Sequence, residues 1–303
     1  MADVLTPTSV ADAISMLGAH PGAHLVAGGT DVMLDLRTGR SHADSLIDLS
    51  RLSSQLSGIR AEGGRWRIGA MTTIRALEDD RELARQAPAI GEAATVLGSP
   101  QIRTMATIGG NLAHGTPSAE MPPPLLVHDA SVELVGADGT RTIPLADLFV
   151  GPGRTSMRRP EILTAVVCDA TDGGCGSVYL RQTVRWAMDL AGVGVAASVR
   201  VVDGRIETAR IALGAVHPVP LLVPLASAVV VGHSYDPGLA REAGRLAAEA
   251  CTPITDARGS SDYRRRVVAA LVPRALRIAW LRATGQFTAD RAPINGVLNE
   301  EGR

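Results

Sequence analysis

Two glycine pairs offer this chain its clearest chemistry: Val26-Ala27-Gly28-Gly29-Thr30-Asp31 and Thr107-Ile108-Gly109-Gly110-Asn111-Leu112-Ala113-His114-Gly115-Thr116-Pro117-Ser118-Ala119-Glu120. Each pair removes Cβ atoms where successive backbone N–H groups can converge on an anion, and each precedes short polar residues able to cap a helix. Two such cradles suit the two negative charges of one pyrophosphate. Asp31 reads as a helix cap or as a polar contact to a bound ligand, and the two are compatible. Glu120 has two open readings: a carboxylate that accepts from ribose hydroxyls, or compensation of the dipole of the helix opened by Pro122-Pro123-Pro124.

Several other chemistries are excluded. Cys168, Cys175 and Cys251 form no C-x-x-C and are too few for the four thiolates of an iron–sulfur cluster, so any cluster belongs to another chain. All 30 basic residues are Arg, which removes a lysine Schiff base and a P-loop lysine. Gly192-Val193-Gly194-Val195-Ala196-Ala197 matches a dinucleotide fingerprint by letters, but it runs on into Val199-Arg200-Val201-Val202 and a turn instead of a helix. It is read as a glycine-containing strand. The seven histidines are scattered, with His114 alone inside a glycine segment. A formal charge of −1 and only three Trp, three Tyr and two Phe argue against nucleic acid, which needs basic surface and stacking platforms.

A chain of 303 residues is long enough for two domains with full cores. Mean hydropathy is high at +0.14, yet no apolar run is long enough to span a bilayer. Met1-Ala2-Asp3-Val4 shows no basic region leading into an apolar one, so the expected location is cytoplasmic.

The glycine pairs need elements to aim them. Val10, Ala13, Ile14 and Leu17 behind Thr8-Ser9 predict a helix over 9–18, and 24–27 reads as a strand entering the first pair. Further strands are expected at 45–49, at 56–61 and 65–70 around Gly63-Gly64, at 132–135 and 141–144 around Asp138-Gly139, and at 162–169. Residues 73–97 look mainly helical, and a proline-started helix should reach Val127 or His128. After the glycine-rich stretch at 172–176, antiparallel strands are expected at 177–183, 192–201 and 206–215, then helices near 238–251 and 261–284.

The two glycine segments with their flanks, Gly151-Pro152-Gly153-Arg154-Thr155, Glu161-Ile162-Leu163, Leu180-Arg181-Gln182, Met188-Asp189-Leu190-Ala191, Ile211-Ala212-Leu213-Gly214 and Asp262-Tyr263-Arg264-Arg265 together cover nearly the whole chain. This pattern resembles the FAD-binding medium subunit of molybdenum hydroxylases, of the carbon monoxide dehydrogenase and xanthine dehydrogenase type. The resemblance implies an α+β fold. An FAD-binding domain of two α/β subdomains, of the vanillyl-alcohol-oxidase or PCMH type, would span 1–173. A domain of a small antiparallel sheet and helices would span 174–287, with a tail at 288–303.

By the same resemblance, His24, Leu25, Val26, Ala27, Gly28, Gly29, Thr30 and Asp31, with Thr107, Ile108, Gly109, Gly110, Asn111 and Thr116, are expected around the FAD pyrophosphate. Glu120 is expected on the adenosine side, Leu97, Ile162 and Leu163 along the flavin, and Arg181 where some relatives carry a flavin-side Lys. The implied partners are an iron–sulfur small subunit and a molybdopterin large subunit in a heterotrimer or its dimer. Electrons would pass through FAD to NAD, a quinone or another acceptor. A self-contained flavin oxidase of the same fold and a cofactor-free binding or assembly protein are the rival readings.

Overall fold

The computed structural model describes residues 3–171, 173–185 and 188–287; the expected tail at 288–303 lies outside them. The chain opens with β1 (Asp3–Leu5), α1 (Val10–Ala19), β2 (Ala23–Val26), α2 (Val32–Arg37) and β3 (Ser45–Asp48). The three strands pair in parallel in the order β1-β3-β2. Parallel neighbours need a crossover: α2 lies in the one that joins the neighbours β2 and β3, while α1 carries the chain from β1 to β2 at the far edge of the sheet. Ser9 Oγ caps α1 by accepting the Asp12 N–H at 3.0 Å, and Ala13, Ile14 and Leu17 form its buried stripe.

A second sheet follows α3 (Ser53–Leu56). Its strands β4 (Ile59–Glu62) and β5 (Arg65–Gly69) form the expected hairpin. Residues 73–97 are helical but divided into α4 (Ile74–Asp79), α5 (Arg81–Gln86) and α6 (Pro88–Val96). The breaks have local causes. Asp80 Oδ1 accepts the Leu83 N–H at 2.8 Å to start α5, and Pro88 sits at the start of α6. After α7 (Pro100–Met105), α8 (Ile108–His114) and α9 (Pro122–Val127) come β6 (Ser131–Gly136), β7 (Gly139–Pro144), a ribbon of β8 (Phe149–Gly151) with β9 (Arg154–Thr155), and β10 (Ile162–Asp169). The sheet order is β4-β5-β10-β6-β7, antiparallel throughout.

The third sheet is β11 (Cys175–Gln182), β12 (Val193–Val202), β13 (Arg205–Gly214) and β14 (Leu221–Leu222), all antiparallel, followed by α10 (Pro224–Ala228), α11 (Pro237–Ala250) and α12 (Ser261–Ala283). The rejected fingerprint at Gly192–Ala197 lies largely in β12. Strand alternation sends Val178, Leu180, Val195 and Ala197 into one core with α11 and α12. Tyr179, Ala196 and Ala212 face the opposite way, into the core that holds α6 and α9. The third sheet is therefore covered on both sides, and the odd-numbered side chains of β11 meet the first part of the molecule. The expected boundary after residue 173 falls between β10 and β11. No helix among the described residues is long and apolar enough to cross a membrane.

Candidate FAD site

The first glycine segment is the turn from β2 into α2. Its backbone lies hard against the residues just before α8: a Cβ at Gly28 would stand 1.9 Å from the Met105 carbonyl oxygen. Gly29 has φ of +70°, a conformation that glycine adopts without a Cβ penalty. Among the described residues, the backbone N–H groups of Gly28, Gly29, Thr30 and Asp31 meet no acceptor of the chain. Asp31 occupies the N-cap position of α2 without a side-chain cap bond, and the residue lines the cavity. This turn is a cradle of unengaged donors.

The second segment is built differently from the expected open turn. Gly109 and Gly110 lie inside α8, whose N-cap is Thr107. Their N–H groups are already engaged, Gly109 donating to Ala70 O at 2.9 Å and Gly110 to Thr107 Oγ1 at 3.1 Å, and the neighbouring Ile108 N–H donates to Thr72 O at 3.0 Å. The glycines here serve close packing. A Cβ at Gly109 would lie 2.7 Å from both Cβ and O of Ala70, while one at Gly110 would lie 3.0 Å from Thr107 Oγ1 and 4.0 Å from Ala27 Cβ. What α8 presents is side chains. Asn111 Oδ1 and His114 Nδ1 are buried without a hydrogen-bond partner among the described residues, and both residues line the cavity. His114 Nε2 is held 3.2 Å from Asp35 Oδ2.

One cavity of about 980 Å³ joins the two segments. That volume is at the upper end of the roughly 300–1,000 Å³ found for small-molecule and cofactor sites. His24, Leu25, Ala27, Gly28, Gly29, Thr30, Asp31, Thr107, Gly109, Gly110, Asn111, Thr116 and Glu120 line it, together with the apolar Leu97, Ile162 and Leu163. Val26, Ile108 and Arg181 are not in its wall; Ile108 is fully buried in the core. The third sheet adds wall residues that the sequence did not mark as contacts: Arg185, Met188, Asp189 and Leu190. For Met188, Asp189 and Leu190 the advance signal was their presence in the family-like pattern. Among the described residues no group of His, Cys, Asp and Glu could hold a metal ion.

Glu120 and Arg181, expected at different parts of the cofactor, meet each other. Arg181 Nη1 donates to Glu120 Oε1 at 2.6 Å, and the Tyr179 hydroxyl donates to Glu120 Oε2. All three side chains are buried. Burial pushes the Glu120 carboxyl above the ordinary carboxylate range, against the pull of the Arg181 guanidinium, and pushes the Tyr179 phenol well above its usual value. Arg181 Nη1 also donates to the Asp189 carbonyl at 3.2 Å. The Asp189 carboxylate gathers the N–H groups of Arg185, Val184 and Leu190, and those bonds hold its pKa low.

The donor set suits a dinucleotide: free amides and orphaned polar atoms beside apolar wall, in one cavity of cofactor size. Comparison with known proteins gives the same class. Residues 1–168 match the family model for the FAD binding domain in molybdopterin dehydrogenase, and residues 178–279 match the CO dehydrogenase flavoprotein C-terminal domain. The chain belongs to the family of FAD-binding flavoprotein subunits of the molybdenum hydroxylases, and as such it is an oxidoreductase subunit with FAD as cofactor.

Among individual proteins, it is 34% identical over 282 residues to the carbon monoxide dehydrogenase medium chain of Afipia carboxidovorans, covering 93% of this chain and 97% of that one. It is 37% identical over 215 residues to a putative xanthine dehydrogenase FAD-binding subunit of Escherichia coli, covering 70% of this chain and 73% of that protein. A solved chain of the Hydrogenophaga pseudoflava carbon monoxide dehydrogenase that lacks the Mo-pyranopterin moiety superposes with a TM-score of 0.90 at 32% identity, over 93% of this chain and 98% of that one.

Proposed function

We propose that this chain relays electrons within a molybdenum hydroxylase complex, taking them from an iron–sulfur small subunit and passing them to NAD, a quinone or another acceptor. A molybdopterin large subunit would carry out substrate chemistry, in a cytoplasmic heterotrimer or its dimer. The observation that carries the reading is the single cavity joining the unengaged amides of 28–31 to the side chains of α8. Bound FAD would supply two-electron and one-electron chemistry at its ring.

The protein's own residues then have separate tasks. The amides of Gly28 to Asp31 bind the pyrophosphate, as converging N–H groups bind anions elsewhere. Asn111 and Thr116 add polar contacts, and Leu97, Ile162 and Leu163 exclude water from the ring. A unit at 1–173 provides most of the cavity, and one at 174–287 supplies the wall at 188–190.

The visible spectrum of the purified chain tests this. Flavin bands are expected, with FAD released freely by acid; a colourless protein that takes up no added FAD overturns the proposal. Colour retained on the acid-denatured chain would instead favour a self-contained oxidase with linked flavin. Mixed with its two partner chains and their substrate, the flavin should bleach under anaerobic conditions, and it should not bleach with the substrate alone.

A further inference from the structure

The resemblance places Arg181 where a cation would face the flavin, but the structure shows that cation already matched. Glu120 receives a proton-donating group on each oxygen, Arg181 Nη1 on Oε1 and Tyr179 OH on Oε2. A proton on Oε1 would face a guanidinium, which cannot accept, and at Oε2 the Tyr179 hydroxyl is the donor, so the carboxylate accepts at both oxygens. The pattern is that of an ionised carboxylate paired with its arginine. The side chains are 6% and 5% exposed, so water screens the pair little. Arg181 also reaches past Glu120 to the carbonyl of Asp189, a residue in the cavity wall.

We propose that Glu120 and Arg181 form a charge-neutral bracket behind the FAD cavity: Glu120 cancels the Arg181 charge, and Arg181 acts as a positioning residue that fixes the 188–190 wall. Arg181 therefore does not set the flavin potential while Glu120 is in place. This rests on the FAD reading above. It separates two properties that a flavin-facing cation would join. The potential should follow the net charge of the pair, and the retention of FAD should follow Arg181.

Three full-length variants loaded with FAD test it by midpoint potential against reference dyes and by the rate of FAD release followed by flavin fluorescence. E120Q uncovers the Arg181 charge and should raise the potential, because a cation near the ring favours the anionic reduced flavin. E120Q combined with Arg181→Met should return the potential to the wild-type value while releasing FAD about tenfold faster, since the bond to Asp189 is lost. Arg181→Lys keeps the charge without the fork and should keep the potential but speed release.

An unchanged potential in E120Q, or a lowered one in the double variant, overturns the neutral bracket. Unchanged release from the double variant overturns the positioning role. A lone buried cation is costly, so if E120Q does not fold, the double variant, which leaves neither charge behind, decides both points by its potential and its release rate. Failure of the wild-type chain to take up FAD would sink the functional reading instead, and is seen before any variant is measured.

Discussion

The two glycine segments share their letters and differ in what they do. In the turn after β2, Gly28 lets one backbone touch another, and among the described residues the amides of 28–31 meet no acceptor. In α8 the same pair sits within a helix, its amides bonded to Ala70 O and Thr107 Oγ1, and its missing Cβ atoms admit Ala70 and the first segment. One segment offers backbone and the other offers side chains. A Gly-Gly pair therefore marks close approach, and only the surrounding hydrogen bonds tell whether a ligand or the protein itself is approached.

The sharpest way to break this contrast is Gly28→Ala. The added Cβ would meet backbone of Met105 and Ala106, which no rotamer change can relieve, so a loss of about 3 kcal/mol or more is expected in urea unfolding of the chain without FAD. FAD uptake should be lost with it. Unchanged stability would mean that the segments do not touch as described. Gly109→Ala comes next. Its Cβ would lie 2.7 Å from both Ala70 Cβ and Ala70 O, a milder clash than the 1.9 Å at Gly28, so about 2 kcal/mol of stability should go, with FAD bound more weakly only as far as α8 shifts.

Gly110 separates folding from binding. The space there is tight but bounded by a side-chain hydroxyl, and alanine is the better helix former by about 1 kcal/mol, so Gly110→Ala should leave the apo protein nearly as stable as wild type. Gly110→Val, larger and facing Ala27 across the segments, should lose FAD while the chain still unfolds cooperatively. Thermal midpoints with and without added FAD read both effects, because a ligand raises the midpoint only as far as it binds the native state. A wild-type FAD-dependent rise in the valine variant would remove the second segment from the site.

Much of this organisation was legible in the letters for local reasons. The turn at Asp138-Gly139, the proline run that starts α9 and the strand expected at 177–183 all rest on signals within a few residues. The helix at Gly109-Gly110 was not legible, because glycine opposes helix locally and the deciding acceptors, Ala70 and Thr72, come from elsewhere in the chain. Nor was the partnership of Glu120 with Arg181, whose 61-residue separation is closed by packing of the third sheet on α9. A weaker signal did exist. Tyr179 and Arg181 alternate with Val178 and Leu180, so a strand reading already put the hydroxyl and the guanidinium on one face, opposite the apolar one.

The smallest expected effect falls on Asn111, and it sharpens the contrast most finely. Its Oδ1 is buried without a partner among the described residues, an arrangement that costs the apo protein stability and gains a bond only when a donor arrives. Asn111→Leu keeps the approximate shape and removes the orphaned acceptor, so the apo chain should be as stable as wild type or slightly more so. FAD affinity should fall by about 1 kcal/mol, or roughly fivefold, the worth of one ordinary hydrogen bond. Titration of the apo chain with FAD, beside urea unfolding of the same sample, measures both quantities. A loss of apo stability without a loss of affinity would make Asn111 part of the scaffold, and α8 would then contribute shape alone.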